Sequence, residues 1–375
     1  MRTLNFRRAL FAAAVLSTFA DSSQAADGFK VRFPLSGTLG GEIVAQVDNP
    51  GFFASVSLTQ LEVDKITDNT GNSFQQVKSG GFATPAAIAG AVRTASYTGT
   101  TAVDLNQSQA IANLVLGYQS EKHFGGGHLL VALNLPYTAR LNRDVTYSGQ
   151  TPTLSTLAPA LTSPPLPAGT GAAAQAGAQA GFNTAYQAQL KALSSAGTGV
   201  LEGAGDAEIS VGWIYRKDDL KVVTGLTLAL PTGKYDAAST LNIGFGNFYT
   251  LRPGAAVAYN PSPNWTLGAR GSLAFNTRNT DNQLRSGDYL ALDLAAAYRS
   301  PVGVFGPHVL MVKQFTDDTG GALGANRFSS TGAGVFFTTL IPQLEAAVNL
   351  SYLTTISSRN ALSGSFYQIR VSKAF

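Results

Sequence analysis

Residues 264–276 read NWTLGARGSLAFN, and the alternation of residue types in this stretch decides the fold. Successive side chains of a β-strand point to opposite faces, so the stretch predicts a strand with one apolar and one polar face. The apolar face carries Trp265, Leu267, Ala269, Leu273 and Phe275, and the polar face carries Thr266, Gly268, Arg270, Ser272 and Asn276.

The same alternation returns along most of the chain. We predict about twelve strands of roughly 9–13 residues, the length with which a tilted strand crosses a bilayer. An even number of strands is expected of a bacterial barrel. The predicted strands are 52–63, 111–122, 128–138, 206–216, 219–231, 247–259, 264–276, 287–299, 304–315, 327–338, 343–356 and 364–375.

The composition favours a membrane protein without membrane helices. Charged residues make up 13% of the 375 residues and hydrophobic residues 45%, whereas soluble proteins carry about 25% charged residues. No stretch reaches the roughly 18 consecutive apolar residues of a transmembrane helix. Because backbone polar groups in lipid must bond internally, a closed barrel is the remaining way to span. We therefore predict an all-β, transmembrane, antiparallel up-and-down β-barrel, with a soluble β-sandwich as the alternative.

The first 25 residues are typical of a cleaved signal peptide. Arg2, Arg7 and Arg8 precede a short apolar core at 9–20, and small residues lead to a cleavage site after Ala25. The mature barrel would then be 26–375. The alternative is an N-terminal arm that stays on the protein.

Short and long connections alternate between the predicted strands. The short ones have turn chemistry, such as Gly125-Gly126-Gly127 and Asn260-Pro261-Ser262-Pro263. Bacterial barrels place short turns in the periplasm and long loops outside. With the N-terminus in the periplasm, each short turn and Phe375 fall on that side. The longest outer loops are predicted at 64–110 and 139–205.

The second long loop contains a candidate lid or plug. Residues 148–200 are rich in Ala, Gly, Pro and Gln. Within them Phe182, Tyr186, Leu190 and Leu193 are spaced for one face of a helix. A lid folded against the pore and a poorly ordered surface loop both fit this pattern.

Six charged residues are predicted to face the lumen. An Arg or Lys facing lipid at mid-membrane costs about 2–4 kcal/mol, so charges within the strands should point inward. They would line an aqueous pathway, pair with one another as a structural network, or do both. The six are Glu208, Arg252, Arg270, Asp293, Glu345 and Arg370.

Residues for catalysis or cofactor binding are few. There is no cysteine and there are three histidines: His123, His128 and His308. The first two flank the glycine turn, but a metal site needs further ligands, so we interpret them as turn histidines. No nucleophile elbow, zinc signature or phosphate-binding loop is present. We predict no enzyme, no cofactor, no metal site and no nucleic-acid partner.

The half of the chain from about 203 onward resembles a family of outer-membrane proteins named for the MetA pathway of phenol degradation, which is related to sphingosine-induced outer-membrane proteins. Its motifs look like turns and loop entries, where Gly, Asn and Asp serve backbone geometry. The first half matches weakly. The motifs are Gly203-Ala204-Gly205-Asp206, Leu230-Pro231-Thr232-Gly233-Lys234-Tyr235, Asn242-Ile243-Gly244, Phe275-Asn276 with Asn279, Ser286-Gly287-Asp288, and Gln314 with Asp317-Asp318.

The resemblance implies an outer-membrane channel for small, aromatic or hydrophobic compounds, which pass passively through the lumen. The alternative is a structural or adhesive barrel that acts through its surface loops, and an outer-membrane lipase or protease is the least favoured reading. The expected partners are outer-membrane lipid and lipopolysaccharide, a small-molecule solute, and the barrel-assembly machinery, which would read the strand ending at Phe375.

Overall fold

The computed structural model describes residues 50–84, 89, 93–157, 170–321 and 326–375. The predicted signal peptide at 1–25 lies outside the described residues. In the described part, fourteen strands and one long helix, α1 (Thr170–Gly197), follow one another along the chain. The strands are β1 (Gly51–Ile66), β2 (Gln75–Thr84), β3 (Arg93–Phe124), β4 (Gly127–Ser148), β5 (Gly199–Ala204), β6 (Glu208–Lys217), β7 (Leu220–Ala229), β8 (Thr250–Ser262), β9 (Trp265–Asn276), β10 (Tyr289–Ser300), β11 (Gly303–Gln314), β12 (Ser329–Ile341), β13 (Ala346–Arg359) and β14 (Leu362–Ala374).

Twelve of the strands form a closed antiparallel barrel, as predicted. β1 pairs with β14 on one side and with β3 on the other, and the β3–β4 pairing closes the ring. From β6 to β14 each strand pairs with the next in the chain, and β6 pairs back to β4. β2 and β5 lie outside this ring and extend the sheet along β3 and β4. A closed sheet has no unpaired edge, so its backbone can sit in lipid.

Each of the twelve predicted strands overlaps one strand of the ring, but the two longest loops were wrongly predicted. β3 begins at Arg93 rather than near 111, and β4 continues to Ser148 rather than ending near 138. The supposed loop 64–110 therefore contains β2 and the first half of β3. The supposed loop 139–205 contains the end of β4, α1 and β5.

Apart from the two-residue turn of Asn360 and Ala361 after β13, which lies at the opposite end, the short turns lie at one end of the barrel, as predicted. Gly125 and Gly126 connect β3 to β4 with φ of 58° and 81°, the left-handed values that a two-residue hairpin turn needs. Asp218, between β6 and β7, has φ 49°. The chain terminus closes against the same end, since the Phe375 amide donates to the Phe52 carbonyl at 2.8 Å. This end is the periplasmic one.

The outer face of the barrel carries an apolar belt between two sets of aromatic rings. On β9 the belt runs from Trp265 near the periplasmic end to Phe275 near the other. Ten residues at about 3.3 Å each, tilted by about 45°, rise about 23 Å, which suits the roughly 25 Å apolar band of an outer-membrane barrel. Ring contacts between neighbouring strands bind the periplasmic set together: Trp265–Tyr298 at 5.3 Å, Tyr298–Phe305 at 5.8 Å and Phe52–Tyr118 at 5.0 Å.

The polarity of the two faces inverts at one level of the wall. On β3 the outward residues Leu116 and Leu114 give way to Asn106 and Asp104 toward the outer end, while the inward face becomes apolar at Leu105. β1 shows the same exchange, with Leu58 outward and Thr59 inward below the level, and Glu62 outward and Val63 inward above it. Below this level the outer face meets lipid; above it the outer face meets water.

The apolar inner face above this level is packed against α1. Phe182 and Tyr186 of the helix are fully buried against Tyr97 of β3 and Phe82 of β2. Across the described residues, no helix is both long and apolar enough to cross a membrane. Its contacts with β2, β3 and β4 place α1 at the outer end of the barrel, where it covers the inner side of the extended wall.

Candidate functional site in the lumen and its outer mouth

Four of the six predicted lumen charges form two ion pairs on the inner wall. Arg252 on β8 reaches across β7 to Glu208 on β6. The amide of Asn134 on β4 also lies 3.3 Å from Glu208, so three strands besides β7 contribute to one cluster. The side chain of Arg252 is 5% exposed. A buried charge of this kind needs a close partner of opposite sign.

The second pair joins neighbouring strands at mid-depth. Arg270 on β9 binds Asp293 on β10 through both Nε and Nη2. His308 on β11 faces the same part of the lumen and is 3% exposed. Its Nε2 lies 3.1 Å from the Tyr352 carbonyl on β13. The ring can reach that far because the intervening residue on β12 is Gly334, where a Cβ would collide with the same carbonyl.

Arg370 also faces the lumen, where it belongs to a chain of hydrogen bonds. Its Nη2 donates to Gln368 Oε1 at 2.8 Å, and Gln368 Nε2 donates to Thr59 Oγ1 at 2.9 Å. This polar chain crosses the seam between β14 and β1, where the ring closes. The paired charges and this chain together favour the mixed interpretation, in which inward polar residues both brace the wall and face the lumen.

Glu345 does not lie on the inner wall, and its prediction as a lumen residue is wrong. The strand was expected from 343, but a 3-10 turn begins at Pro342 and β13 begins only at Ala346. Glu345 ends that turn in the left-handed region with φ 49°. Its side chain is 82% exposed at the periplasmic end, 3.9 Å from Lys373.

Several polar atoms of the inner wall have no hydrogen-bond partner within the described protein. They are buried, and buried polar groups are almost always satisfied by protein or by water. Because these atoms have almost no accessible surface, an ordered water can satisfy them but a passing solute cannot reach them. These atoms are Asn134 Oδ1, Arg252 Nε, Asp293 Oδ1, His308 Nδ1, Asn349 Oδ1 and Ser351 Oγ.

Above this polar level the inner wall is apolar. One cluster of buried side chains follows β9 to β14 and includes Leu310, Val312, Leu353 and Phe366. A second continues around β1, β3 and β4. This second surface was not predicted, because most of it falls where the sequence indicated loops. Alternation in 93–105 could have indicated a strand. Tyr97, Val103 and Leu105 fall on one face of such a strand, and Thr and Ser residues fall on the other.

The predicted lid residues are brought together on the inner side of the mouth. Phe182 and Tyr186 have their ring centroids 4.7 and 6.3 Å from that of Tyr97, and the Tyr186 hydroxyl lies 2.9 Å from Thr101 Oγ1. Burial, aided by Tyr186, raises the pKa of Tyr97 to about 12. Leu190 joins the cluster, whereas Leu193 is half-buried and lies outside it.

The end of α1 is tied to β4 by polar contacts. Ser194 and Thr198 accept the amides of Tyr147 and Val145 at 2.9 and 3.0 Å. Nearby, Arg143 points inward and donates to Gln107 at 2.8 Å, and burial lowers its pKa to about 10, so it stays charged at neutral pH. It is an inward cation that the sequence analysis assigned to a loop.

The family motifs hold the outer loops in place. Asp206 Oδ1 accepts the Gly233 amide and Oδ2 accepts the Phe245 amide, both at 2.9 Å. Gly233 lies so close to the backbone of Gly244 that a Cβ there would be 2.8 Å from the Gly244 Cα. The second and third motifs are thus stacked on the first, and glycine is required at the contact.

A second motif cluster braces the loops after β9 and β11. Asp288 Oδ1 accepts the Asn276 amide at 3.0 Å and pairs with Arg285. Asp318 Oδ1 accepts the Gly287 amide at 2.7 Å and a hydrogen from Gln314 at 2.6 Å. These residues hydrogen-bond to one another and to the loop backbone, so the motifs position the loops of the mouth.

The histidines at the periplasmic turn are neighbours, as the hairpin suggested. The His123 and His128 rings are 4.2 Å apart, and His128 Nδ1 lies 2.6 Å from the Ser120 carbonyl. Throughout the described ranges, no group of three or more His, Cys, Asp or Glu side chains is arranged to hold a metal ion.

The closed ring, its apolar belt and its polar inner wall define a bacterial outer-membrane β-barrel. The chain belongs to the family described as "Putative MetA-pathway of phenol degradation", whose sequence model matches residues 91–371. The family that the motifs suggested is therefore confirmed, and the match extends well into the first half of the chain.

Solved structures of similar fold are outer-membrane proteins. The COG4313 outer membrane channel from Pseudomonas putida F1 is 13% identical, with a TM-score of 0.60 over 92% of this chain and 100% of that chain. The CymD monoaromatic hydrocarbon channel is 13% identical, with a TM-score of 0.37 over 95% and 97% of the two chains. The Pseudomonas putida toluene transporter TodX is 9% identical, with a TM-score of 0.35 over 93% and 96%. No curated protein sequence matches this chain.

Proposed function

We propose that this protein is a passive, non-enzymatic channel for small hydrophobic compounds, aromatic ones included. The observation that carries the proposal is the order of surfaces along the inner wall. A solute entering from outside meets the apolar level of Val103, Leu310 and Phe366 before the polar level of Asp293 and His308. An apolar surface inside a water-exposed mouth favours solutes that leave water readily.

The family and the fold support the same proposal. The family is named for phenol degradation, and the similar barrel from Pseudomonas putida F1 is a channel. A twelve-stranded barrel is wider than one filled by side chains and narrower than an open aqueous porin. Such a barrel suits a selective pathway without energy coupling.

We propose further that α1 is a lid over this pathway. It lies on the lumen side of the extended β3–β4 wall, and its buried aromatic residues hold it there. The inward polar residues Glu208, Arg252, Arg270, Asp293 and Arg370 would then line the pathway below the lid. Four of these five charges form two pairs of opposite sign, Glu208 with Arg252 and Arg270 with Asp293, so the field of these four in the lumen is small.

The strand β14 is the proposed recognition element for the barrel-assembly machinery. It ends at the periplasmic side, where the Phe375 side chain is 73% exposed. This position leaves the terminal ring accessible from the compartment in which assembly factors work.

Uptake by a deletion strain tests the transport proposal. Strains producing no protein, the wild type, or a variant would be compared for uptake of a labelled monoaromatic hydrocarbon and of a small sugar. We expect the wild type to restore hydrocarbon uptake severalfold and sugar uptake little. Val63→Thr with Val103→Thr, isosteric changes that make the inner wall polar, should reduce hydrocarbon uptake at least twofold.

Val257→Thr is the matched control, because Val257 faces outward on β8. Equal hydrocarbon uptake with and without the protein would overturn the channel. If that strain instead lost attachment to surfaces, the barrel would be adhesive.

A further inference from the structure

The inner wall of the outer mouth carries a guanidinium that has no counter-ion among the described residues. Arg143 lies on β4 between the buried inward residues Leu141 and Val145. Its Nε donates to Gln107 Oε1 at 2.8 Å, and its Nη1 donates to the Thr240 carbonyl at 3.1 Å. Both acceptors are neutral. Because a guanidinium has five N–H groups, the other three have no acceptor in the described part of the protein.

The carboxylates of the surrounding strands lie on the opposite side of the wall. Strand side chains alternate between the two faces, so Asp144, the residue after Arg143, points outward. The exposed carboxylates at this level are Glu62, Asp104, Asp144 and Glu202. Lower in the lumen, by contrast, Arg252 and Arg270 are each paired with a carboxylate. The inner side of the mouth at Arg143 is therefore complementary to an anion that the described protein does not supply.

Tyr147 adds a hydrogen-bond donor on the same face of β4. It lies beyond Val145, and its side chain is half-buried. Burial raises the pKa of Tyr147, so the hydroxyl keeps its proton at neutral pH and can donate it to an anion. Within the described ranges this hydroxyl has no hydrogen-bond partner. Arg143 and Tyr147 thus offer a cation and a phenolic donor to the same space.

An apolar surface adjoins these two polar groups. Val145 belongs to the cluster of buried side chains that includes Val103 and Leu105 of β3, and Tyr147 packs against this cluster. A guanidinium and a hydroxyl beside an apolar surface match a solute that has an apolar body and one anionic oxygen group. This combination distinguishes the site from the paired charges lower in the lumen.

The site lies where α1 and the loop after β7 meet the wall. Ser194, at the end of α1, accepts the Tyr147 amide at 2.9 Å. Thr240, whose carbonyl holds Arg143, donates its hydroxyl to the Ala196 carbonyl of α1 at 2.7 Å. The guanidinium is therefore held in position before a solute arrives. Such preorganisation reduces the entropy that binding must overcome.

We propose that Arg143 and Tyr147 bind the carboxylate of hydrophobic carboxylic acids in the outer mouth, so that the channel takes amphipathic monoanions in preference to neutral compounds of the same size. This inference rests on the proposed channel function and names its class of solute. A carboxylate fits because it is ionised at neutral pH, whereas a phenol, with an unperturbed pKa of about 10, is neutral there. One guanidinium balances one negative charge, which favours monoanions over phosphates and diacids.

Direct titration of the purified full chain tests the proposal. The protein in lipid nanodiscs would be titrated by calorimetry with phenylbutyrate and with its uncharged amide, and empty nanodiscs would correct for partitioning into lipid. We expect the wild type to bind the carboxylate at least tenfold more tightly, because hydrogen bonds between charged groups are about twice as strong as neutral ones. Arg143→Gln should remove this preference and bind the amide as the wild type does. Arg140→Gln is the matched control, because Arg140 lies on the same strand with its side chain exposed.

Uptake by the deletion strain separates this proposal from the channel itself. We expect the wild type to restore uptake of phenylbutyrate more than that of the amide, and Arg143→Gln to restore both equally. Heat-modifiable gel mobility shows whether each variant is folded, and the comparison of the two solutes on the wild type decides even without a folded variant. Equal affinity of the wild type for carboxylate and amide, or an unchanged preference in folded Arg143→Gln, would overturn the site. Hydrocarbon uptake that persists in that case would leave the channel in place, whereas its absence would contradict the channel.

Discussion

At the scale of single residues, a buried charge on the inner wall is stabilised by a partner of opposite charge. Asp293 is 5% exposed and Arg270 23% exposed, and each supplies the other's counter-charge. Breaking a buried pair by removing one partner costs about 3–5 kcal/mol, whereas replacing both partners by apolar residues is often close to neutral. The pair should therefore behave as a unit.

We expect Arg270→Leu to destabilise the barrel by about 3 kcal/mol or more, because it leaves Asp293 charged and buried. Arg270→Leu combined with Asp293→Leu should recover most of that loss. Guanidinium unfolding of the detergent-solubilised barrel, followed by gel mobility, measures both. A double variant that is no more stable than the single one would show that the two charges act independently.

The residue scale also shows where prediction from sequence ends. The alternation of residue types predicts that Arg252, Arg270 and Asp293 point inward, because a charge facing lipid is too costly. The sequence does not predict which of these charges pair. Glu208 and Arg252 are 44 residues apart and meet only because the register of β6, β7 and β8 aligns them. Glu345 was misplaced because Pro342 opens a turn that delays the strand.

At the scale of elements, α1 and the extended hairpin of β3 and β4 form one unit. Phe182 and Tyr186 give the helix an apolar face, and the inner side of the hairpin gives it a surface to cover. Sequence spacing predicted three residues of that face, Phe182, Tyr186 and Leu190, whereas Leu193 lies outside the cluster. The hairpin extension was missed because its alternation sets Thr and Ser against Ala, Tyr and Val, a weaker contrast than in the lipid-facing strands.

Phe182→Ala should loosen the lid, because truncating a fully buried Phe costs about 3–5 kcal/mol. We expect a higher single-channel conductance in planar bilayers and faster cleavage of the 149–198 segment by an added protease. Leu193→Ala, on the same helix but outside the aromatic cluster, is the control and should change both values much less. Unchanged conductance with faster proteolysis would show that the helix is mobile without closing the pathway.

At the scale of the whole molecule, the level at which the two faces exchange polarity marks the outer surface of the membrane. This level follows the paired residues Gln60 and Ala110 on β1 and β3, and Gln60 and Tyr367 on β1 and β14. The number of strands in the ring and the short turns at the end that carries Phe375 could be predicted from alternation and loop length. This boundary could not, because locating it needs the strands in register.

The position of the membrane surface can be tested with two substitutions on the outer face of β3, one on each side of it. Leu114→Arg places a cation in the apolar belt, where it costs about 2–4 kcal/mol near the membrane centre. Asn106→Arg, eight residues further out, should cost almost nothing. Folding into lipid vesicles from urea, measured by protection from trypsin, compares them. Similar folding of the two variants would place the membrane surface elsewhere.

Because the inner face becomes apolar above the membrane, the length of the β3–β4 extension and the length of the 149–198 segment that covers it depend on each other. The part of β3 and β4 above the bilayer adds apolar surface on the lumen side, at residues such as Tyr97, Val103 and Val145, and α1 shields part of it from water. Shortening the 149–198 segment alone would therefore expose apolar surface at the mouth and promote aggregation. A shortened barrel should stay free of aggregation only if the part of β3 and β4 above the membrane is removed together with α1.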